Sequence, residues 1–321
     1  MYGRNYRNGG RRRVLFSAIS CMTLLYGAKG DAKPDMAPLG PNIADRGSAF
    51  YHFRVDNFDS ADGKRRYRVW IGIPDKTPPA SGYPILYMLD GNAVMDRLSE
   101  PLLKQLVAKS PPVIVAVGYQ TNLPFDLNGR AYDYTPALDV KSGDVEEVNG
   151  RYRRKGGGSE GFRQLLEVLI SPNAERGIKI DPQRRGLWGH SYGGVFALDS
   201  WLSSSFFRVY YSASPSLGRD YVSLLTRLTT IDKAQYCHKS LFFMEGSASP
   251  GKNTQTQSHD ILNQIHNSVS SLQQNGLTAE YWDYPGVTHG PMFNASFQSA
   301  LVHMSTDKGR GPSQCDESDG R

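Results

Sequence analysis

One five-residue stretch constrains the fold of this chain more than any other. Gly189-His190-Ser191-Tyr192-Gly193 follows Arg185-Gly186-Leu187-Trp188, which reads as a short buried strand. It precedes Gly194-Val195-Phe196-Ala197-Leu198, which opens a helix-like apolar run. A strand that passes into a helix through so sharp a turn strains the backbone of the residue at its apex, so the residues two positions away must be small. Gly189 and Gly193 meet that demand, and Gly194 lets the helix pack close to the strand. The pentapeptide alone arises by chance in glycine-rich chains. Its flanks make Ser191 a candidate nucleophile; the plain alternative is a glycine-rich turn with an idle serine.

From about residue 50, strand and helix patterns alternate. Phe50 to Phe58 and Arg66 to Ile73 read as two early strands, with antiparallel pairing open to them. Tyr83 to Leu89, Pro111 to Tyr119, Arg185 to His190, Arg208 to Tyr211, Leu241 to Glu245 and Ala279 to Tyr284 read as further strands. Most are apolar without alternation, as expected of parallel strands covered on both faces. Helical spacing marks Ala93 to Ala108, Ser159 to Arg176 and His259 to Leu272. The expected class is therefore α/β, a mostly parallel sheet flanked by helices. Residues 120–158 break the pattern as a long polar stretch, and loops of that length are functional or disordered.

The net charge of +6 does not describe the body of the chain. Arg4, Arg7, Arg11, Arg12, Arg13 and Lys29 sit in a segment with no Asp or Glu, and without those six the remaining basic residues balance the 31 acidic ones. A near-neutral body lacks the basic footprint of a nucleic-acid binder. The N-terminal charges precede an apolar run from Val14 to Ala28, shorter than the ~20 residues that span a bilayer. Residues 1–29 therefore read as a secretory signal peptide or an N-terminal membrane anchor, 30–46 as a linker, 47–305 as the folded domain and 306–321 as a polar tail. Of three cysteines, Cys21 falls in the apolar run. Cys237 and Cys315 would pair in an oxidising compartment or stay as free thiols. Their spacing suggests no metal site.

A serine hydroxyl is a weak nucleophile until a base takes its proton. In the α/β-hydrolase fold, to which the turn around Ser191 points, the base is a histidine after the last strand, and the chain order is Ser, acid, His. Among seven histidines, His289 alone follows a terminal strand at a turn. The acid is expected at the end of the penultimate strand, where Glu245 stands. Two readings of Glu245 stay open: a triad member that orients the imidazole, or a strand-end residue facing water beside a Ser–His pair. The oxyanion needs two donors, for which the backbone N–H of Tyr192 and the turn at Gly91 and Asn92 are candidates. His190 is expected to point away from the nucleophile in a structural role.

Asp90-Gly91-Asn92, Arg130-Ala131-Tyr132-Asp133-Tyr134-Thr135-Pro136, Gly189 to Gly194, Ser214-Pro215-Ser216 and the late His289 together resemble the putative-esterase family of α/β-hydrolases. Within it the chain is most similar to the periplasmic siderophore esterases. The resemblance covers roughly residues 50–303. It implies hydrolysis of the serine trilactone of catecholate siderophores (enterobactin, salmochelin) to linear products through an acyl-enzyme. It also implies a Ser–His dyad rather than a strict triad, and export to the periplasm with retention at the inner membrane open. The partner is then a small-molecule siderophore, with or without iron; no nucleic acid, metal or organic cofactor is implied. Residues 141–158 and the tail after about 305 map onto no family role.

Arg130, Tyr132 and Tyr134 are candidate substrate contacts, because a planar guanidinium stacks on, or pairs with, a catechol ring. Arg130 has a second reading, a salt bridge to Asp133 or another carboxylate that braces the loop. Two other functions stay open: an esterase or acyltransferase on feruloyl, lipid or thiol esters, and a binding module that uses the same fold without turnover.

Overall fold

The structure is a computed structural model and describes residues 34–138, 147–148, 151–152, 154–248 and 258–312. Eight strands form one sheet. They are β1 (Tyr51–Asp59), β2 (Arg66–Pro74), β3 (Tyr83–Met88), β4 (Val113–Tyr119), β5 (Ile180–His190), β6 (Val209–Ala213), β7 (Ser240–Gly246) and β8 (Thr278–Tyr284). Their spatial order is β1-β2-β4-β3-β5-β6-β7-β8. β1 pairs antiparallel with β2, and β2 with β4; every later pairing is parallel. Each of β3, β4, β6 and β7 is buried along its whole length, because helices cover both faces. This is the α/β-hydrolase fold.

One face packs Phe196, Leu198 and Trp201 with Phe162, Leu166 and Leu225. The other packs Val94, Leu103, Trp188, Phe293 and Phe297. The helices that bear on the site are α1 (Gly91–Arg97), α2 (Glu100–Val107), α3 (Leu127–Asp133), α4 (Tyr192–Ser203), α5 (His259–Gln274) and α6 (His289–Met304). The helix expected over Ala93–Ala108 is divided into α1 and α2, because Pro101 has no N–H for the carbonyl of Arg97 and its ring collides there; Leu98 is extended, with ψ of 131°. The helix expected from Ser159 widens over Leu166–Ile170 just ahead of Pro172, for the same reason.

Two interior cations finish helices that matter for function. Lys239 is 2% exposed, and its Nζ donates to the carbonyls of Trp201 and Ser204 at the end of α4. Burial lowers its pKa to about 8. Arg184, also buried, donates through Nη2 to the carbonyls of Met304 and Thr306 at the end of α6. Positive charge at a helix C-terminus offsets the partial negative charge of its unpaired carbonyls.

The chain between 30 and 46, expected as a linker, is partly packed. The Leu39 N–H donates to Asn122 O at 2.7 Å. A short helix, Ile43–Arg46, is closed by a capping box between Asn42 and Asp45 and buries Ile43. At the other end, Arg310 pairs with Asp181 at 2.8 Å and the Gly311 N–H donates to Gln183 O, so packing continues past 305. The signal or anchor over 1–29 lies outside the described residues, as do Cys21 and Cys315. Among the described residues no helix is long and apolar enough to cross a membrane.

Trp188 connects this frame to the site. It is fully buried, its indole N–H donates to Ser296 Oγ at 3.2 Å, and its ring meets Phe293 and Phe297 edge-on. Trp188→Ala is expected to cost ~3–5 kcal/mol by leaving a cavity and removing the donor to Ser296 Oγ, read as a lower midpoint in urea denaturation.

Candidate active site

Three non-glycine residues among those described have positive φ: Asp90 at 54°, Ser191 at 62° and Ser214 at 37°. They follow β3, β5 and β6, which are neighbours in the sheet. Strain of this kind persists only where the surroundings fix it. Here it gathers at the carboxyl ends of the parallel strands, where open α/β sheets bind ligands.

Ser191 is the apex between β5 and α4. A Cβ at Gly189 would lie 2.1 Å from Gly193 O, and one at Gly194 2.7 Å from Ala213 O, so both glycines are dictated by close packing of the turn. The Ser191 N–H donates to Ala213 O at 2.9 Å. Its hydroxyl lies 2.8 Å from Ser216 Oγ. Tyr192 begins α4, so its N–H has no acceptor within the helix.

His289 begins α6 and is brought to the same rim by His190. His190 Nε2 lies 2.8 Å from the His289 carbonyl. A carbonyl only accepts, so His190 carries its proton on Nε2. The two rings stand 4.7 Å apart between centroids. His190 thus supports the His289 backbone, a contact its position next to Ser191 gave no reason to expect. Burial, then the Arg130 charge, lowers the His289 pKa to about 4; the imidazole is neutral at pH 7 and able to accept a proton. Burial, then His289 and Arg130, also depresses His190.

Glu245 is the penultimate residue of β7 and is 1% exposed. It bonds the Ser214 hydroxyl, and burial raises its pKa to about 8. Its Oε1 has no hydrogen-bond partner. It is shielded from water, and among the described residues no carboxylate is hydrogen-bonded to the His289 ring.

The turn after β3 is held from several sides. Arg130 on α3 grips Asp90 through Nε–Oδ1 and Nη2–Oδ2, both 2.8 Å, and Nη2 reaches His190 O at 3.3 Å. Its guanidinium also lies over the rings of Phe125, Tyr134 and Tyr192. The Asp90 N–H donates to the hydroxyl of the buried Tyr134 at 3.2 Å. Asp133 accepts from Tyr67 and Tyr119 and pairs with Arg65 at 2.8 Å, and burial raises its pKa to about 6. A Cβ on Gly91 would meet the β4 backbone at 2.7 Å, so this glycine serves close packing of α1. The Asn92 amide is fully engaged with Tyr119 and Thr121, which leaves its backbone N–H as its means of reaching a ligand. Tyr132 is half-buried under Arg65, 4.5 Å from its ring centre. No group of three or more His, Cys, Asp or Glu able to hold a metal occurs among the described residues.

Residues 60–304 match the family described as Putative esterase. The apo-salmochelin esterase of Escherichia coli O6:H1 is 59% identical over 317 residues, 99% of each chain. The ferri-bacillibactin esterase BesA of Bacillus subtilis is 28% identical over 243 residues, 73% of this chain and 83% of that one. A solved structure of the enterobactin hydrolase IroE in complex with DFP has a TM-score of 0.74 at 60% identity, covering 83% of this chain and 100% of the other.

Two measurements test the electrostatics. With His289 neutral down to a pKa of about 4, kcat/KM is expected to stay level from pH 7 to 5 and to fall only as the pH drops through about 4. A histidine with the ordinary pKa of 6.5 would already lose activity below that value. For Glu245 the folded state holds a proton that the unfolded state releases between its ordinary 4.5 and about 8. Stability from this group therefore falls as pH rises through that window. Glu245→Gln is expected to be more stable than wild type at pH 8.5 and close to it at pH 4.5 in urea titrations.

Proposed function

Since the chain belongs to the Putative esterase family, we propose that it is a serine esterase that opens the trilactone of catecholate siderophores, enterobactin and salmochelin, to linear products. The observation that carries this reading is the 59% identity to the apo-salmochelin esterase along 99% of both chains. The strained Ser191 at the strand-to-helix apex supports the same chemistry.

In this mechanism Ser191 Oγ attacks a lactone carbonyl while neutral His289 takes its proton. The oxyanion forms against the N–H of Tyr192 and the first N–H groups of α1, at Gly91 and Asn92. Collapse breaks the ester bond, and His289 returns the proton to the leaving alkoxide. Water then attacks the acyl-enzyme, again losing its proton to His289, and regenerates Ser191. With Glu245 protonated and bonded to Ser214, the imidazole works as one half of a dyad, and its backbone is steadied by His190. Arg130 and Tyr134, read from the sequence as substrate contacts, are spent on Asp90, so we assign them to the support of the oxyanion turn. Tyr132 retains exposed surface for a catechol ring.

The reaction belongs in the periplasm on this reading. Cys237 is disulfide-bonded, a state kept in oxidising compartments, and the basic, then apolar start of the chain fits export. Any inner-membrane tether would come from that same segment, and any iron is part of the substrate.

Purified protein incubated with a cyclic catecholate trilactone is expected to yield a linear trimer heavier than the ring by one water, and shorter linear fragments whose summed mass rises by one water for each further bond cut. Ser191→Ala is expected to lower turnover by at least roughly a thousandfold with the fold intact. Full turnover by that variant would remove the assignment.

A further inference from the structure

A second hydroxyl faces the nucleophile. Ser191 Oγ and Ser216 Oγ are 2.8 Å apart, and the Ser216 N–H donates to the Ser191 carbonyl at 3.1 Å. Two bonds therefore hold these residues face to face across a sequence gap of 25. The turn that carries Ser216 is anchored independently of Ser191. Ser214 has a φ of 37°, its N–H donates to Met244 O at 2.9 Å, and its hydroxyl bonds Glu245. Leu217 is fully buried. A Cβ on Gly194 would come within 3.0 Å of Pro215 Cα, so the elbow helix and this turn pack without slack.

A serine hydroxyl has one proton and two lone pairs. When Ser191 directs its proton to a base, the hydrogen in the contact with Ser216 has to come from Ser216. We infer that Ser216 is a positioning residue whose hydroxyl donates to Ser191 Oγ, fixing the side-chain rotamer that leaves the Ser191 proton for His289. This rests on the esterase reading above.

The proton count closes. In acylation the Ser191 O–H bond breaks, the proton goes to His289, Oγ bonds to the acyl carbon, and the ester C–O bond breaks as His289 returns that proton to the leaving alkoxide. In deacylation water gives a proton to His289 and adds to that carbon; the C–Oγ bond breaks, and Oγ recovers its electron pair and the proton from His289. Ser216 keeps its own proton throughout. Its hydrogen bond is strongest when negative charge returns to Oγ, so its loss weighs on deacylation more than on substrate binding.

The test is stopped-flow hydrolysis of a p-nitrophenyl ester by the full chain, with Ser216→Ala and Ser216→Thr alongside wild type. Ser216→Ala keeps the backbone bond to Ser191. It is expected to lower kcat about ten- to a hundredfold, as loss of a hydrogen bond to a charged group does. KM is expected to fall in step with kcat, so that kcat/KM stays near the wild-type value, the burst to approach one equivalent of p-nitrophenol per enzyme, and the melting temperature to stay at the wild-type value. Ser216→Thr, which restores the hydroxyl, is expected to recover most of the rate. The inference is overturned by Ser216→Ala turning over like wild type with an unchanged burst, by Ser216→Thr falling as far as Ser216→Ala, or by unfolding of Ser216→Ala. Wild-type protein inert to the aryl ester and to an organophosphonate would remove the esterase reading itself, a result separate from any difference among the variants.

Discussion

The buried ion pair between Arg130 and Asp90 is the joint on which the working rim depends. Two parallel 2.8 Å bonds join α3 to the turn after β3, and a third reaches the carbonyl of His190 on β5. Taking both charges out of water costs several kcal/mol per ion, and only close bidentate geometry with further partners offsets it. Those partners are present on the guanidinium: the His190 carbonyl and three rings around it. Loss of either ion alone would leave the other buried without a counter-charge, at a cost of about 3–5 kcal/mol. The left-handed backbone of Asp90 is held by that threat, and with it the donors that start α1.

Burial then acts on two groups of opposite charge with the same result. It pushes His289 down and Glu245 up, so at neutral pH both are uncharged. An uncharged imidazole is ready to accept a proton. An uncharged carboxyl is a poor partner for an imidazolium. The burial and the Arg130 charge that lower the His289 pKa disfavour its cation, and among the described residues no carboxylate is hydrogen-bonded to the ring to offset them.

The central strands were legible because β3, β4, β6 and β7 are apolar runs bounded by turns, and being covered on both faces removes alternation. The elbow was legible because steric demand writes itself as glycine at 189, 193 and 194. Helix breaks were less so: Pro101 and Pro172 carry the signal, but apolar spacing runs straight through them. The short helix α3 was hidden in a polar stretch, though Asp126, whose side chain caps Gly129 N–H, is a start signal in the sequence. Pairings such as Arg130 with Asp90 join residues 40 apart, and no local pattern chooses Asp90 over Asp133 as the partner. The same holds for Ser216 and for the His190 contact with His289, which depend on how separate strand ends meet in space. Residues 30–46 read as unstructured because the few apolar positions there, Ile43 above all, find their partners only in the folded body.

Lys239 and Arg184 carry a mechanical consequence. Each of α4 and α6 begins at the rim, with Ser191 and His289, and ends on an interior cation. Sliding either helix along its axis, a common way for proteins to relay motion, would strand a charge in the apolar interior. The two helices thus behave as struts clamped at their far ends.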